Sequence, residues 1–221
     1  MKQPHLRNGA SFAGQKIGLL GGSFNPAHEG HRAISLYALK HLGLDQVWWL
    51  VSPQNPLKSK KDMATLDARV AQAEHIATHP RLIVTTIESE LSTRYTADTL
   101  RYLKQRFPKT RFVWLMGADN LQQISRWKDW QDIFHLVSVA VFRRPSYPAG
   151  RTLGKVAIRF GQAWRKPATG KHLTQDGLPA WIILDNKLNY ISATKIRKDT
   201  PSWQRQRKHL RKNPQPKKKS S

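Results

Sequence analysis

Short apolar runs, each closed by glycine or a polar turn and followed by a segment of helical period, constrain the fold of this chain more than any other feature. Lys16-Ile17-Gly18-Leu19-Leu20 is stopped by Gly21-Gly22, and Val47-Trp48-Trp49-Leu50-Val51 by a Pro-, Lys- and Ser-rich loop from Ser52 to Thr65. Leu82 to Thr86, Phe112 to Met116 before Gly117, Val137 to Phe142 and Trp181 to Leu184 repeat the pattern. Runs this short and this continuous read as strands buried on both faces. Between them, Glu29 to Leu42 carries apolar residues at helical spacing up to Gly43, Leu66 to Thr78 stops before Pro80, and Thr96 to Phe107 makes a third helix. Strands alternating with helices predict an α/β fold with a doubly wound, mostly parallel sheet. In such sheets ligands sit beyond the carboxyl ends of the strands. The stretch from Ser146 to Pro179, broken by Gly and Pro, offers no assignable element.

Composition narrows the function classes. The 221 residues hold 38 Lys and Arg against 14 Asp and Glu, a net charge of +24, with eight Trp and no Cys. Without Cys there is no disulfide scaffold, zinc ribbon, iron–sulfur site or thiol nucleophile. No run approaches the roughly 18 apolar residues of a membrane span, and the first 15 residues lack the apolar core of a signal peptide. The expectation is a cytoplasmic chain that does not enter a membrane. We expect a flexible extension over residues 1–15, one domain over 16–200 and a basic, disordered tail over 201–221. From Lys195 to Ser221 there are 11 basic residues and one acid, Asp199. Such a tail serves solubility or weak, nonspecific RNA contact. The positive body also suits an enzyme whose substrates are polyanions.

The string Gly21-Gly22-Ser23-Phe24-Asn25-Pro26-Ala27-His28-Glu29-Gly30-His31 follows the first strand directly. Two glycines at a strand end allow close backbone approach to a phosphate, and the next helix offers its positive N-terminus. His28 and His31, three apart, share the first helical turn and can donate to phosphate oxygens on which charge develops. The spacing is neither that of the dinucleotide fingerprint nor that of a Walker loop. Gly150 to Val156 is one residue short of a Walker loop and ends in Val where Ser or Thr would hold the metal. A zinc pair lacks a third ligand, so no protein-held metal is expected.

Taken whole, the string resembles the G-G-[ST]-F-[DN]-P-x-H-x-G-H signature of the nucleotidyltransferase superfamily, and the chain resembles its bacterial nicotinate-nucleotide adenylyltransferases. Further motifs carry the likeness in order: Pro53 to Lys58, Tyr95 to Leu100, Gly117 to Leu121 with Trp127 and Trp130, Arg143 to Tyr147, and Ile191 to Arg197. It departs from that pattern at Arg94, where the family often has Ser, and at Ser146, where it has Gly. After Arg197 an apolar helix is replaced by Gln, Arg and Lys.

The resemblance implies a Rossmann-like nucleotidyltransferase fold and the joining of ATP to nicotinate mononucleotide, with Mg²⁺ accompanying the ATP. His28, His31 and Arg197 would be catalytic. Gly21, Gly22, Ser23, Phe24, Gly117, Asp119, Ile191, Ser192 and Thr194 would join them around ATP. Asn25, Lys58, Tyr95, Thr96, Trp127 and Arg144 would hold the mononucleotide. Read singly, several have plainer roles: capping for Ser192, Thr194 and Asp119, core packing for Trp127, a solvated loop for Lys58 and a solvated tail for Arg197. Phosphopantetheine adenylyltransferase shares the first motif without the Tyr95-Thr96 and Trp127 segments. An RNA-binding protein on a retired transferase fold is the alternative outside catalysis.

Overall fold

The computed structural model describes residues 12–53, 63–143 and 154–185. Seven strands form one sheet: β1 (Lys16–Gly22), β2 (Gln46–Val51), β3 (Leu82–Thr85), β4 (Arg111–Gly117), β5 (Ser138–Phe142), β6 (Trp164–Arg165) and β7 (Trp181–Leu184). Their spatial order is β3-β2-β1-β4-β5-β7-β6, and every pairing is parallel. The helices are α1 (Glu29–His41), α2 (Leu66–Ile76), α3 (Ile87–Glu90), α4 (Thr96–Arg106), α5 (Ala118–Gln123), α6 (Trp130–Leu136) and α7 (Gly154–Phe160).

The alternation of side chains along the strands builds two cores. Trp48, with Leu19, Phe112 and Trp114, faces Leu100 and Leu103 of α4, Phe107 just after it, Phe134 of α6 and Phe160 of α7. Trp49, with Val47, Val113 and Leu115, faces Ala38 and Leu39 of α1 and Ala73 of α2. The result is helix, sheet, helix, with the central strands buried on both faces. Polar pins set the fit on the second face. Trp49 Nε1 donates to Ser35 Oγ at 2.8 Å, and Ser35 Oγ donates to the His31 carbonyl at 2.9 Å.

Order reverses between β1 and β4. From β1 the chain crosses to β2 on one side, and β3 sends it back to β4 on the other. The crevice this opens lies beyond Gly21-Gly22 and Gly117, where such sheets take ligands.

Two differences from the sequence expectation have physical causes. The unassigned stretch contains α7, two short 3₁₀ turns and β6, a two-residue edge strand. So short a strand has no period to read. It is held from outside, by pairing with β7 and by Trp181 Nε1 donating to the Phe160 carbonyl at 2.7 Å. At the other end the ring of Phe12 is 5% exposed and meets Trp48 and Phe107 edge-on, with centroids at 5.1 and 5.8 Å. The Thr110 hydroxyl donates to the Phe12 carbonyl at 2.8 Å. The packed body therefore includes residues ahead of Lys16. Phe12→Ala should cost about 3 kcal/mol of stability in denaturant unfolding, as for a buried aromatic. A change within a few tenths would show the ring to be dispensable.

Candidate active site at the strand reversal

The turn after β1 is shaped by what lies beneath it. A Cβ on Gly21 would stand 2.4 Å from the Trp114 indole, so glycine is demanded there by the close approach of β4's tryptophan. Phe24 adopts φ +44°, a left-handed conformation a bulky residue rarely accepts. That turn drives its ring inward, where it is 2% exposed, stacks on Trp49 at 5.1 Å and lies 4.8 Å from the His31 ring. Asn25 is also buried, its Oδ1 accepting from the Ala64 N–H at 3.2 Å. The Phe24 and Asn25 side chains thus support the loop from within.

The two histidines close the first turn of α1 reciprocally. Gly30 N–H donates to His28 Nδ1 at 3.1 Å, and His28 N–H donates to His31 Nδ1 at 3.2 Å. Imidazoles here do what Ser and Glu do in an ordinary capping box. A backbone N–H can donate only to an unprotonated ring nitrogen, so the proton of each neutral ring sits on Nε2. The rings lie 3.9 Å apart, centroid to centroid, at the positive end of α1. Capping thus occupies Nδ1 of both side chains and leaves the proton of each on Nε2.

Arg69 of α2 fastens this loop. The residue is 2% exposed, and its guanidinium donates to four carbonyls: Ser23 and Ser52, both at 2.7 Å, Ala64 at 3.1 Å and Pro53 at 3.2 Å. Burial lowers its pKa from the free value, but Arg stays charged. The exits of β1 and β2 are thereby locked together by a cation whose partners, among the described residues, are carbonyls and no carboxylate.

Beside the histidine turn lies a cavity of about 150 Å³. Gly21, Gly22 and Ser23 form one wall, Tyr95 and Thr96 at the start of α4 another, and Trp114 and Trp127 supply aromatic faces. Trp127 both lines the cavity and packs against the core. Arg94, Arg126 and Lys128 make the wall cationic, and Lys128 Nζ also sits 5.0 Å over the Tyr95 ring. Arg101 of α4 holds the Trp127 segment in place. It reaches Asp98 Oδ1 at 2.7 Å, Asp129 Oδ2 at 3.1 Å and Asp132 Oδ2. Asp129 is another left-handed residue, with φ +50°. Gly117 caps α5 in extended conformation and Asp119 lies half-buried in the first turn of that helix, at the mouth of β4.

The fold therefore gathers Gly21, Gly22, Ser23, Tyr95, Thr96 and Trp127 around one cavity, with His28 and His31 at the adjoining helix start and Gly117 and Asp119 across the crevice. Lys58, Arg144, Ile191, Ser192, Thr194 and Arg197 lie outside the described residues. Sequence reading missed Ser52, Glu88, Asn120, Arg126 and Lys128 in the walls and Arg69 beneath them. None sits in a pattern distinguishable from a polar helix or loop. Arg94 had been visible only as a departure from the family pattern.

Glu88 is the unusual wall residue. It is 9% exposed, and burial pushes its carboxyl up to about 7, against the opposing pull of hydrogen bonds from Ser52 and Thr99. The unfolded chain ionises nearer 4.5. The folded state thus holds its proton more tightly, and this contribution to stability is complete below about 4.5 and lost as pH rises through about 7. Thermal or denaturant unfolding should show Glu88→Gln stabilising the protein more above neutrality than near pH 4.5, by roughly 3 kcal/mol. An equal effect at both pH values would contradict the shift. Arg69→Ala should cost about 3 kcal/mol by orphaning buried carbonyls, with Arg69→Lys only a partial rescue.

A family model described as cytidylyltransferase-like matches residues 19–199. A protein of Parvibaculum lavamentivorans is 50% identical over 184 residues, covering 83% of this chain and 92% of its own. One from Bradyrhizobium sp. (strain ORS 278) is 46% identical over 195 residues, covering 85% and 98%. Both bear the name "Probable nicotinate-nucleotide adenylyltransferase". Among solved structures, the nicotinic acid mononucleotide adenylyltransferase of Plasmodium falciparum, complexed with NaAD, superposes with a TM-score of 0.64 at 15% identity, covering 83% of each chain. At that identity it speaks for the fold alone.

Proposed function

The chain belongs to the cytidylyltransferase-like family and, within it, to the nicotinate-nucleotide adenylyltransferases, and from this we infer that it joins ATP and nicotinate mononucleotide into nicotinate adenine dinucleotide and pyrophosphate, a step of NAD biosynthesis. A phosphate oxygen of the mononucleotide attacks the α-phosphorus of ATP in line, the bond to the bridging oxygen breaks, and pyrophosphate leaves with the electron pair. No protein nucleophile is needed, so the chain's task is to position two anions that repel each other and to stabilise charge on the phosphates.

The observation that carries this reading is the reciprocal histidine cap, which directs the proton of each neutral ring to Nε2 at the start of α1. Those two donors suit the transferring phosphate, and the N–H groups of the Gly21-Gly22-Ser23 turn suit its neighbours. Asp119 is suited to a ribose hydroxyl and Gly117 to close backbone approach. In the adjoining cavity, Trp127 offers a face to the pyridine ring, and Thr96 with Tyr95 at the start of α4 suits the nicotinate carboxylate. By motif, Ser192, Thr194 and Arg197, after Ile191, fit the β- and γ-phosphates, and Arg144 and Lys58 the mononucleotide phosphate. Among the described residues no three His, Asp or Glu side chains converge as a metal cage. By the resemblance, Mg²⁺ would arrive as part of the ATP complex, held by phosphate oxygens and water. No described helix is long and apolar enough to cross a membrane, in keeping with work in the cytoplasm, and the basic tail would add at most weak RNA contact.

Pyrophosphate release with ATP, Mg²⁺ and, in parallel, nicotinate mononucleotide, nicotinamide mononucleotide and phosphopantetheine tests this. The first should turn over well, the second poorly and the third not at all. His31→Ala should lower kcat by about a hundredfold to a thousandfold, as for loss of one transition-state donor. Silence with all three from folded protein would sink the enzyme reading. Removal of the residues after Thr200 should leave most turnover intact.

A further inference from the structure

Glu88 is a carboxyl group in the wall of a cavity whose other charged residues are cations. Its hydrogen-bond partners among the described residues are hydroxyls. Thr99 Oγ1 donates to Oε1 at 3.4 Å, Ser52 bonds to the same carboxyl, and Thr99 is bonded in turn to Thr93 at 2.9 Å. A hydroxyl can donate to a carboxylate or accept from a carboxylic acid, so this setting admits both protonation states. The neighbouring elements bring few charges. Arg94 and Tyr95 come from the turn before α4, Arg126 and Lys128 from the connection between α5 and α6, and all four are exposed. Asp98 on α4 is paired with Arg101 and Lys128, and Glu90 points to solvent from the same short helix as Glu88. The ends of β1 and β2 and the residues just after them contribute only the uncharged Gly21, Gly22, Ser23 and Ser52.

We propose that Glu88 is a positioning residue of the mononucleotide pocket that must carry a proton for the mononucleotide to bind, so that its ionisation sets the upper pH limit of mononucleotide affinity. The inference rests on the adenylyltransferase reading above. An ionised Glu88 would share an enclosure with an anionic ligand that displaces its screening water, and like charges in such a place repel strongly. The protonated carboxyl removes that repulsion and gains a donor where a carboxylate can only accept. Burial already brings its titration to about 7, against the pull of Ser52 and Thr99. Nothing in the motif Ile87-Glu88-Ser89-Glu90 marks the first glutamate as different from the second; only depth separates them.

The test is the pH dependence of kcat, of KM for nicotinate mononucleotide and of KM for ATP, in wild type and Glu88→Gln. If only the protonated fraction is competent, KM for the mononucleotide should rise about tenfold from about pH 6 to about pH 8, while KM for ATP stays level. Glu88→Gln should abolish the rise. As a measurement on unaltered protein, mononucleotide binding by calorimetry in buffers of different ionisation enthalpy should show net proton uptake near pH 7.5, where about three-quarters of Glu88 would be ionised beforehand. Superimposable KM profiles for wild type and variant, or binding without proton uptake, would overturn the proposal. Absence of turnover at every pH would instead remove the transferase reading, and this inference with it.

Discussion

One buried guanidinium holds the working end of this molecule together. Strand exits are loops, and loops carry carbonyls that water must satisfy unless the protein does. Arg69 takes four of them out of water at once, from the exits of β1 and β2 and from the segment entering α2. A Lys has no planar fork with which to do this. The backbone of Ser23, and with it the turn that leads into the paired histidines, is therefore fixed from below by a residue that never reaches the cleft. The charge of Arg69 also lies under the place proposed for phosphates, adding to the positive end of α1, and its partners among the described residues are carbonyls.

Above that anchor, the site economises by giving side chains two tasks. His28 and His31 cap α1 through Nδ1 and keep Nε2 as the protonated nitrogen, so ring orientation and tautomer come from one pair of backbone hydrogen bonds. Trp114 forces Gly21 to be glycine on one side and forms a cavity wall on the other. Trp127 is both core and wall, with Asp129 held in a left-handed turn behind it by Arg101. Such coupling makes the cavity's shape a consequence of packing, which rotamer freedom at the surface would not provide.

The sheet and its major helices were legible because their signals are local. Glu29–His41, Thr96–Arg106 and the buried strands differ from expectation by a residue or two at their ends. The Gly21 to His31 string was legible as a tight strand-to-helix turn because a glycine pair and helix-start histidines carry that geometry in their spacing. The inward turn of Phe24 and the internal bond of Asn25 were not, because the motif names residue types and not the direction in which they point. β6 escaped notice since two residues make no period. Arg69, Glu88, Arg126 and Lys128 escaped because each looks locally like an ordinary exposed polar residue.

The amino-acid sequence by itself determined the class of fold, the reversal-point turn and the family, since hydrophobic period, glycine placement and motif order survive without coordinates. Tertiary structure decided which side chains meet. It put Glu88 of one short helix beside Thr99 of another and buried both. It also set Arg69 of α2 under a loop 46 residues earlier. Depth and long-range proximity change the charge state of a carboxyl and the duty of a guanidinium, and neither quantity is written in residues adjacent along the chain.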